Sequence, residues 1–461
     1  MRRNSTSLSF GFGLALAISL AGLTGCAKKT APADLVLLNG DVTTMNPAMP
    51  TARAVVINGN KITAVCPTDR QARRYVGPKT RVFDFLGKFV IPGLIDAHVH
   101  FEAAGAILTG PNLLTVSDAA GLRKEIQRGG DRLDDGEWIT DGLWGAYEQW
   151  ALGDAGGGAK DKKASWRPNR GMIDDITPNH PCFLCRFDRG EWLANTAALA
   201  EAGLDKQRLP GLDMGADGRP TGIIFPATPA FDKVKKAVKP KSELRLIDES
   251  RAALLALRES GITEIHDVET PEQTKRFIDL EKKGELSCRV WLRPDLARGA
   301  ELKAQGFTMG LHPATKEKSS RLRYGALEGP ADGSPGDPGT RPAFGSDWPG
   351  TGVMLNQVHP KELIYAAVMG TAFKGTPAGG WGLEPKIPVE EALRAFTIGN
   401  AQAAFEDGIR GSLEAGKLAD ITVFDRNLLK IAPEDILKAK VTHTIVDGKI
   451  VYRRRIDPPK K

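Results

Sequence analysis

The sequence predicts an α/β chain in which a parallel (β/α) barrel with an incomplete set of strands is joined to a small β-sandwich built from both termini. Three observations support this prediction. An apolar run ends in two histidines, the middle of the chain alternates strand-like with helical stretches, and hairpin signals occur near both ends. Alternating strands and helices are typical of a parallel sheet, whereas Asn-Gly turns between apolar runs indicate antiparallel hairpins.

The apolar run Phe89–Phe101 places His98 and His100 at the end of a strand. Alternate residues of a strand share a face, so both imidazoles point the same way. In parallel barrels the chemistry lies where the strands finish, so this pair indicates a metal site. The alternative is an ordinary strand with core or surface histidines, in which each buried imidazole needs a hydrogen-bond partner.

The remaining elements follow from the same patterns. The β-sandwich is predicted from residues 34–88 and 411–455, where Asn58-Gly59 and Asp447-Gly448 separate strand-like runs. The barrel is predicted from residues 89–410. Its strand candidates are 89–100, 262–267, 287–293, 322–328 and 341–347, and its helix candidates include 242–260, 271–284 and 388–404.

Four further segments follow the first strand along the chain: Gly261–Asp267, Phe344–Pro349, the helix Pro388–Phe405 and Gly411–Asp420. In order and spacing, these segments resemble the amidohydrolase superfamily, in the branch called amidohydrolase family 3. The resemblance runs over most of the chain. It implies the TIM-type barrel of a metal-dependent hydrolase, with an insert at about 101–240 that decorates the barrel mouth and shapes the substrate pocket.

The resemblance also implies a chemistry. One or two divalent ions, with zinc as the default for mixed nitrogen and oxygen ligands, are expected on His98, His100, Asp347 and Glu328. Such an ion lowers the pKa of bound water toward ~7 and polarises a carbonyl. Asp347 is the expected catalytic base, which passes the proton to a leaving nitrogen. The expected substrate is a small amide, cyclic amide, amidine or N-acyl compound, split at a non-peptide C–N bond.

Two further residues are candidates for the substrate pocket. His266 ends a barrel-type strand, and Trp144 lies in the insert close to Tyr147 and Trp150. Aromatic core packing is the alternative for the tryptophan, and the alternative for the histidine is that it has no functional role. Glu328 stands where many relatives carry a lysine. Its carboxylate can also bridge metals, and the alternative is a solvated or salt-bridged glutamate.

Several barrel units are expected to be missing near residues 335–340. After Leu327–Ser334 the chain passes through Pro335–Gly339 and reaches Phe344–Asp347 directly. By resemblance, three βα units of ~30 residues each, on the order of 100 residues, are absent. Those units would carry two further histidine ligands of the family. The other histidines of this chain do not stand in matching contexts: His180, His266, His312, His359 and His443.

The missing units support a competing hypothesis. Catalytic zinc commonly has three protein ligands and a water, and an incomplete barrel exposes strand edges. The chain is then a catalytically degenerate, membrane-anchored binding protein or a deletion remnant of an amidohydrolase. A third alternative is a homo-oligomer in which a second copy completes the barrel.

The N-terminus predicts export and lipid anchoring. Residues 1–25 combine a basic start with a short apolar stretch, and Leu23-Thr24-Gly25 leads into Cys26. This pattern is typical of a lipoprotein signal peptide with lipidation at Cys26, and a plain secretory signal or an N-terminal anchor is the alternative. The expected location is the bacterial cell envelope, facing the periplasm or in the outer membrane. Loss of residues 1–25 lowers the formal charge from +7 to +5, which excludes a nucleic-acid footprint.

Overall fold

The computed structural model describes most of the chain beyond its N-terminus. The predictions for Cys26, Tyr147, Trp150, Glu328 and the missing units near 335–340 lie outside the described residues. Within the described part, no helix has the length and apolar character needed to cross a membrane. The described residues are 30–114, 116–140, 142–145, 166–186, 188–319, 321–326, 344–349, 359–370 and 386–455.

The N-terminal segment forms short strands with tight turns. Asn58 pairs with Lys61 across the Gly59-Asn60 turn, as the hairpin signal predicts. The elements are β1 (Leu35–Leu38), β2 (Asp41–Thr43), β3 (Thr51–Ala52), β4 (Ala54–Asn58), β5 (Lys61–Cys66), α1 (Asp69–Ala72), β6 (Arg81–Asp84) and β7 (Phe89–Pro92).

The next segment begins with a barrel strand and continues into the insert. The insert holds a five-stranded sheet with the order β12-β13-β11-β10-β9. The elements are β8 (Leu94–Val99), α2 (Phe101–Thr109), α3 (Ala119–Gly130), β9 (Leu143–Trp144), β10 (Phe183–Arg186), β11 (Trp192–Ala194), α4 (Thr196–Glu201), β12 (Leu212–Met214), β13 (Pro220–Ile224) and α5 (Pro229–Ala237).

The remaining segment alternates helices and strands before it returns to the sandwich. Thr270 caps α7 with its side chain, and Pro271 occupies the first turn, where its missing N–H costs nothing. The elements are α6 (Glu243–Glu259), β14 (Ile262–Glu269), α7 (Pro271–Lys282), β15 (Arg289–Pro294), α8 (Gly299–Ala304), β16 (Leu322–Tyr324), α9 (Pro360–Met369), α10 (Val389–Arg394), α11 (Asn400–Ala403), β17 (Ile421–Phe424), β18 (Val441–Val446) and β19 (Lys449–Arg453).

Both termini contribute to one β-sandwich. A four-stranded sheet has the order β5-β4-β1-β6, and a six-stranded sheet has the order β19-β18-β17-β7-β2-β3. The second sheet therefore joins three N-terminal strands to three C-terminal strands. Buried side chains from both ends, such as Leu35, Val55, Ile421 and Ile445, share one apolar cluster. The predicted composite sandwich is present.

The parallel sheet is an open part of a barrel. Its strand order is β16-β15-β14-β8, and all three pairings are parallel. On the free side of β8, Phe344–Trp348 continues the sheet, because Ala97 N–H donates to Phe344 O at 3.1 Å and Val99 forms a parallel bridge with Trp348. Five parallel segments thus lie side by side, and the described residues do not close the barrel.

The run that the sequence presents as one strand, 89–100, divides at Gly93. Residues Phe89–Pro92 pair with β17 in the sandwich, and Leu94–Val99 pair with β14 in the barrel sheet. A Cβ at Gly93 would lie only 2.2 Å from Thr263 Oγ1, so the close approach between the two strands requires glycine. This break fixes where the two sheets join.

Buried ion pairs tie the barrel sheet to the sandwich. The guanidinium of Arg289, on β15, is fully buried and bonds both carboxylate oxygens of Asp420 at 2.6 and 2.9 Å. It also pairs with Asp447 in the β18–β19 turn. A two-point bond to a carboxylate is the arrangement in which a buried arginine is best satisfied, so this contact fixes the two sheets against each other.

A second ionic cluster fills the inner face of the open barrel. Arg323 on β16 donates to Glu264 at 2.9 Å and to Glu406, and it stacks over Trp291 at 4.7 Å. Arg410 also pairs with Glu264. Closed barrels fill this space with layers of apolar side chains. Here, paired charges occupy it.

Candidate metal centre

Three side chains with metal-binding atoms meet where β8 ends. Nε2 of His100 lies 3.0 Å from Oδ1 of Asp347, and Nε2 of His98 lies 3.3 Å from the same oxygen. The ligand atoms of the three residues lie within 4.8 Å of one another. Their side chains are 31%, 43% and 50% exposed for His98, His100 and Asp347. One ion can therefore contact all three and still be reached from solvent.

The close approach of Asp347 to the histidines depends on Gly345. A Cβ at this glycine would lie 2.6 Å from His98 Cβ and 2.8 Å from His98 N, so no other residue fits without a shift. The Asp347 N–H donates to His98 O at 2.9 Å, and the His100 N–H donates to Trp348 O at 2.7 Å. Asp347 itself has φ +55°, a left-handed conformation that aspartate tolerates better than most residues.

Asp96 stabilises this arrangement through hydrogen bonds to the backbone of both segments. It lies on β8 before the two histidines, and its Oδ1 accepts from the N–H groups of Ser346 at 2.9 Å and His98 at 3.3 Å. Complete burial raises the pKa of Asp96 to about 6. Its second oxygen, Oδ2, is buried and has no hydrogen-bond partner among the described residues. Asp96 therefore couples the chain at Ser346 to the histidine strand.

Asp267 holds the backbone that follows His100. Its carboxylate is fully buried on β14, and Oδ1 accepts from Phe101 N–H at 2.8 Å, the first residue of α2. A carboxylate at a helix N-terminus satisfies an otherwise unpaired N–H and is favoured by the helix dipole. Gln273 donates to the other carboxylate oxygen. The start of α2, and with it the position of His100, is thus fixed by the neighbouring strand.

A permanent cation lies beside the histidines. Nη1 of Arg293, near the end of β15, is 3.3 Å from Nδ1 of His98 and 3.3 Å from the carbonyl oxygen of Ala97. The guanidinium also lies near His266, where its charge adds to that of Arg323. Burial, followed by these two charges, lowers the pKa of His266 to about 3. His266 is therefore neutral at physiological pH.

The structure brings together only part of the predicted site. His98, His100 and Asp347 form one cluster, whereas Glu328 lies outside the described residues. His266 is buried next to Trp291 and bonds to Glu264 at 3.2 Å, and it is not one of the residues of that cluster. Trp144 is 1% exposed in the apolar core of the insert. This position matches the core-packing alternative, and a pocket role for either residue stays a prediction.

Sequence reasoning did not select Asp96, Asp267 or Arg293. Asp96 could have been found, because it precedes His98 by the same two-residue spacing that separates the two histidines in one strand candidate. Asp267 also follows a barrel strand candidate directly. Arg293 carries no comparable signal, since its contact with His98 spans 195 positions of the chain.

Comparison with known proteins then identifies the family. The profile of the amidohydrolase family matches residues 81–339 and 337–452, which together make up most of the sequence. The chain belongs to this amidohydrolase family. The prediction of amidohydrolase family 3 is thereby confirmed, and this family implies a divalent metal. The two matched blocks meet at 337–339.

Curated relatives cover the chain to different extents. The Arabidopsis thaliana protein LONG AFTER FAR-RED 3 is 32% identical over 235 residues, which is 50% of this chain and 37% of the plant protein. An N-substituted formamide deformylase from Arthrobacter pascens is 22% identical over 562 positions, 91% of this chain and 98% of the deformylase. The chain thus spans well under two thirds of the plant relative. About 420 of its residues take part in the second alignment, so about 140 positions lack a counterpart here.

The fold has solved counterparts. An uncharacterised metal-dependent hydrolase from Pyrococcus furiosus superposes with a TM-score of 0.58 at 18% identity, over 86% of this chain and 100% of that protein. At this identity the likeness concerns the fold alone. Together with the family match, it confirms the predicted metal-dependent hydrolase type of barrel beside a small β-domain.

The donor set of the cluster fits a divalent ion. Two imidazole nitrogens and one carboxylate oxygen are the ligands of a common type of catalytic zinc site, which leaves one position for water. The carboxyl ends of parallel strands are also where barrel enzymes place their chemistry. In the described part of the chain, the metal-binding side chains of this cluster are therefore suited to the metal that the family implies.

Proposed function

We propose that this chain is a metal-dependent hydrolase of non-peptide C–N bonds in small amides, cyclic amides and N-acyl compounds. The observation that carries the proposal is the cluster of His98, His100 and Asp347, whose ligand atoms lie within 4.8 Å at the ends of parallel strands. Family membership supports the reaction class. The name of the Arthrobacter relative suggests N-substituted formamides as a first substrate class to test.

The cluster supplies enough ligands for one ion. The family's two further histidines have no counterpart in the sequence, so a two-metal centre would need ligands beyond these three. A single catalytic zinc requires three protein ligands and an open position, and two histidines with one carboxylate meet this requirement. We therefore propose one zinc ion per chain.

The residues of the cluster would have two roles, metal binding and proton transfer. A bound divalent ion activates water and polarises the carbonyl of the substrate. His98 and His100 would hold the ion through Nε2, and Asp347 would hold it through Oδ1. The second carboxylate oxygen of Asp347, Oδ2, has no hydrogen bond to the described residues, so it can take a proton from water and deliver it to the leaving nitrogen. The half-exposed carboxylate suits this transfer.

We also propose that the barrel lacks units between β16 and Phe344. Two independent comparisons support this proposal: the family match divides into two blocks that meet at 337–339, and about 140 positions of the Arthrobacter relative have no counterpart here. At ~30 residues per unit, a gap of this size is large enough for the three units whose absence the resemblance implies. With fewer βα units around the cluster, the substrate-binding site would be wide and shallow.

Hydrolysis assays of the full chain test the proposed function. The panel contains an N-substituted formamide, an N-acyl amino acid and a cyclic amide, each with and without added zinc. We expect hydrolysis that requires zinc and that His98→Ala abolishes. His180→Ala is the matched control, because this partly buried histidine lies in the insert and bonds to Glu137 O at 3.1 Å. A folded parent that hydrolyses nothing would instead favour the catalytically degenerate binding protein.

We further propose that the mature protein is exported and anchored in the bacterial cell envelope by a lipid on Cys26. The support is the sequence pattern alone: a basic start, a short apolar stretch and small residues before the cysteine. Expression in a bacterial host, followed by fractionation, tests the proposal. We expect the parent in the membrane fraction and Cys26→Ser in a different fraction. Equal distribution of both proteins would contradict lipidation.

A further inference from the structure

The four-stranded sheet of the sandwich carries a short helix on its outer face. Leu35 of β1 packs in the apolar cluster that both sheets share, whereas Val36 packs with Ala72 of α1 and with Tyr75. Alternate residues of a strand point to opposite faces. The helix α1 and the 3₁₀ turn after it, Arg73–Tyr75, therefore lie on the face that is turned away from the six-stranded sheet.

The outward side of this helical segment consists of arginines. Arg70, Arg73 and Arg74 are all exposed, and they are three and four residues apart. Residues at this spacing share one side of a helix. The opposite side faces the sheet through the fully buried Ala72 and the partly buried Tyr75. Three guanidinium groups thus point away from the body of the sandwich.

A lysine and two apolar side chains extend this surface. Residues 70–79 contain four basic residues and no acidic residue. Val76 is 40% exposed in the same segment. Val82 is 43% exposed, and it shares the outer face because it pairs in register with Val36 of β1. We call this set the basic surface, and its members are Arg70, Arg73, Arg74, Val76, Lys79 and Val82.

The charge of the basic surface is not neutralised within the described part of the protein. Arg70, Arg73 and Lys79 form no salt bridge with any described residue. The acidic residue next to them in the sequence, Asp69, instead accepts from the N–H of Asn39 at 2.8 Å. A group of exposed like charges beside exposed valines is suited to an anionic partner that also has an apolar layer.

The chain connects the basic surface closely to Cys26. The Ala33 N–H donates to Tyr75 O at 2.8 Å, and a Cβ at Gly77 would lie 2.7 Å from Pro32 Cβ. Pro32 is therefore fixed against the segment that carries the basic side chains. Six residues separate Pro32 from Cys26, and six residues span at most ~22 Å. A lipid on Cys26 would hold the basic surface close to the bilayer.

We propose that the basic surface docks on the anionic phospholipid headgroups of the membrane that carries the lipid anchor. The inference rests on the lipid anchor proposed above, and it adds the orientation of the protein: the outer face of the four-stranded sheet is turned to the membrane. Basic side chains near an anionic leaflet strengthen binding by about fivefold each. A lipid chain and a polybasic patch together hold a protein on a membrane more firmly than either signal alone.

Vesicle sedimentation of the full chain with Cys26→Ser tests this inference without the lipid. The vesicles contain phosphatidylcholine alone or phosphatidylcholine and phosphatidylglycerol in equal parts. We expect at least about tenfold tighter binding to the anionic vesicles. We also expect this difference to vanish in about 1 M salt, where the Debye length is about 3 Å. Equal binding to both vesicles would overturn the inference but not the anchor, which the fractionation of Cys26→Ser tests separately.

Removal of three charges identifies the residues that bind. Addition of Arg70→Gln, Arg73→Gln and Lys79→Gln to the Cys26→Ser chain should weaken binding to the anionic vesicles by about hundredfold, at about fivefold per charge. Unchanged binding would overturn the inference. Residues 1–25 are the same in every protein compared, so they do not account for a difference. A short DNA duplex that binds as tightly as the anionic vesicles would assign the surface to nucleic acid and overturn the inference.

A matched control removes the same number of charges elsewhere. Three exposed lysines of the insert serve this purpose, and the control variant carries Lys206→Gln, Lys235→Gln and Lys236→Gln. Its net charge equals that of the first triple variant. It should bind the anionic vesicles like the parent, because these lysines lie outside the basic surface. Equal weakening in both triple variants would show that only the net charge matters, and it would overturn the assigned surface.

Discussion

Gly345→Ala is the substitution that most directly tests how the cluster is assembled. The added Cβ would lie 2.6 Å from His98 Cβ and 2.8 Å from His98 N, whereas ordinary carbon contacts are about 3.5 Å or longer. The chain at 344–348 must therefore move away from β8 by roughly 0.8 Å or more. The hydrogen bond from Asp347 N to His98 O, now 2.9 Å, would lengthen to about 3.7 Å and be lost.

The same displacement separates the metal-binding atoms. Asp347 Oδ1 would move from 3.3 Å to about 4 Å from His98 Nε2 if the side chains followed the backbone. We expect the free energy of unfolding to fall by about 1–3 kcal/mol, the usual range for overpacking. We expect zinc affinity to fall by about tenfold or more, because sites work only within about 0.5 Å of their geometry.

Urea unfolding and zinc calorimetry measure both effects. The matched control is Gly408→Ala, since a Cβ at Gly408 meets no atom within 4 Å. The control should retain the stability and the zinc affinity of the parent. If Gly345→Ala also binds zinc like the parent, the close packing of this segment on β8 does not assemble the site, and the reasoning is refuted.

Three further predictions concern the supports of the site. Arg289→Met removes the guanidinium that neutralises the buried carboxylate of Asp420, so urea unfolding should show a loss of about 3–5 kcal/mol, and a loss below about 1 kcal/mol would contradict the role of this pair. Asp267→Ala frees the N–H of Phe101, and zinc calorimetry should show about ten- to hundredfold weaker binding; unchanged affinity would rule out this support for His100. Burial lowers the pKa of His266 to about 3, so between pH 3 and 6.5 this histidine is protonated in the unfolded chain and neutral in the folded one. The free energy of unfolding must therefore decrease as the pH is lowered from 6.5 to 3. This contribution, at most about 5 kcal/mol, should disappear in His266→Phe; identical pH profiles of unfolding would contradict it.

The strand alternation and the family resemblance together predict the centre of the site. Because alternate residues of a strand share a face, His98 and His100 could be placed side by side from their spacing alone. Asp347 could be added only by resemblance, since 247 positions separate it from His100. Asp96 obeys the same alternation as the histidines, and its buried carboxylate was within reach of the same argument.

The features that sequence reasoning missed depend on contacts between distant segments. The run 89–100 reads as one strand because its apolar residues are continuous, but the chain divides at Gly93, where Thr263 leaves no room for a side chain. Arg293 lies in a run of residues that all suit a strand, and only the arrangement of three neighbouring strands turns its guanidinium toward His98. Local patterns carry no information about either contact.

Metal content and coordination of the purified protein test the central claim most directly. X-ray absorption at the zinc edge, together with elemental analysis, reports the number of ions and the type of their ligands. The account predicts one zinc ion per folded chain, bound by two imidazole nitrogens and carboxylate or water oxygens, and lost in His98→Ala, His100→Ala and Asp347→Ala. A folded parent that holds no ion after zinc is added, or variants that keep it, would contradict the account.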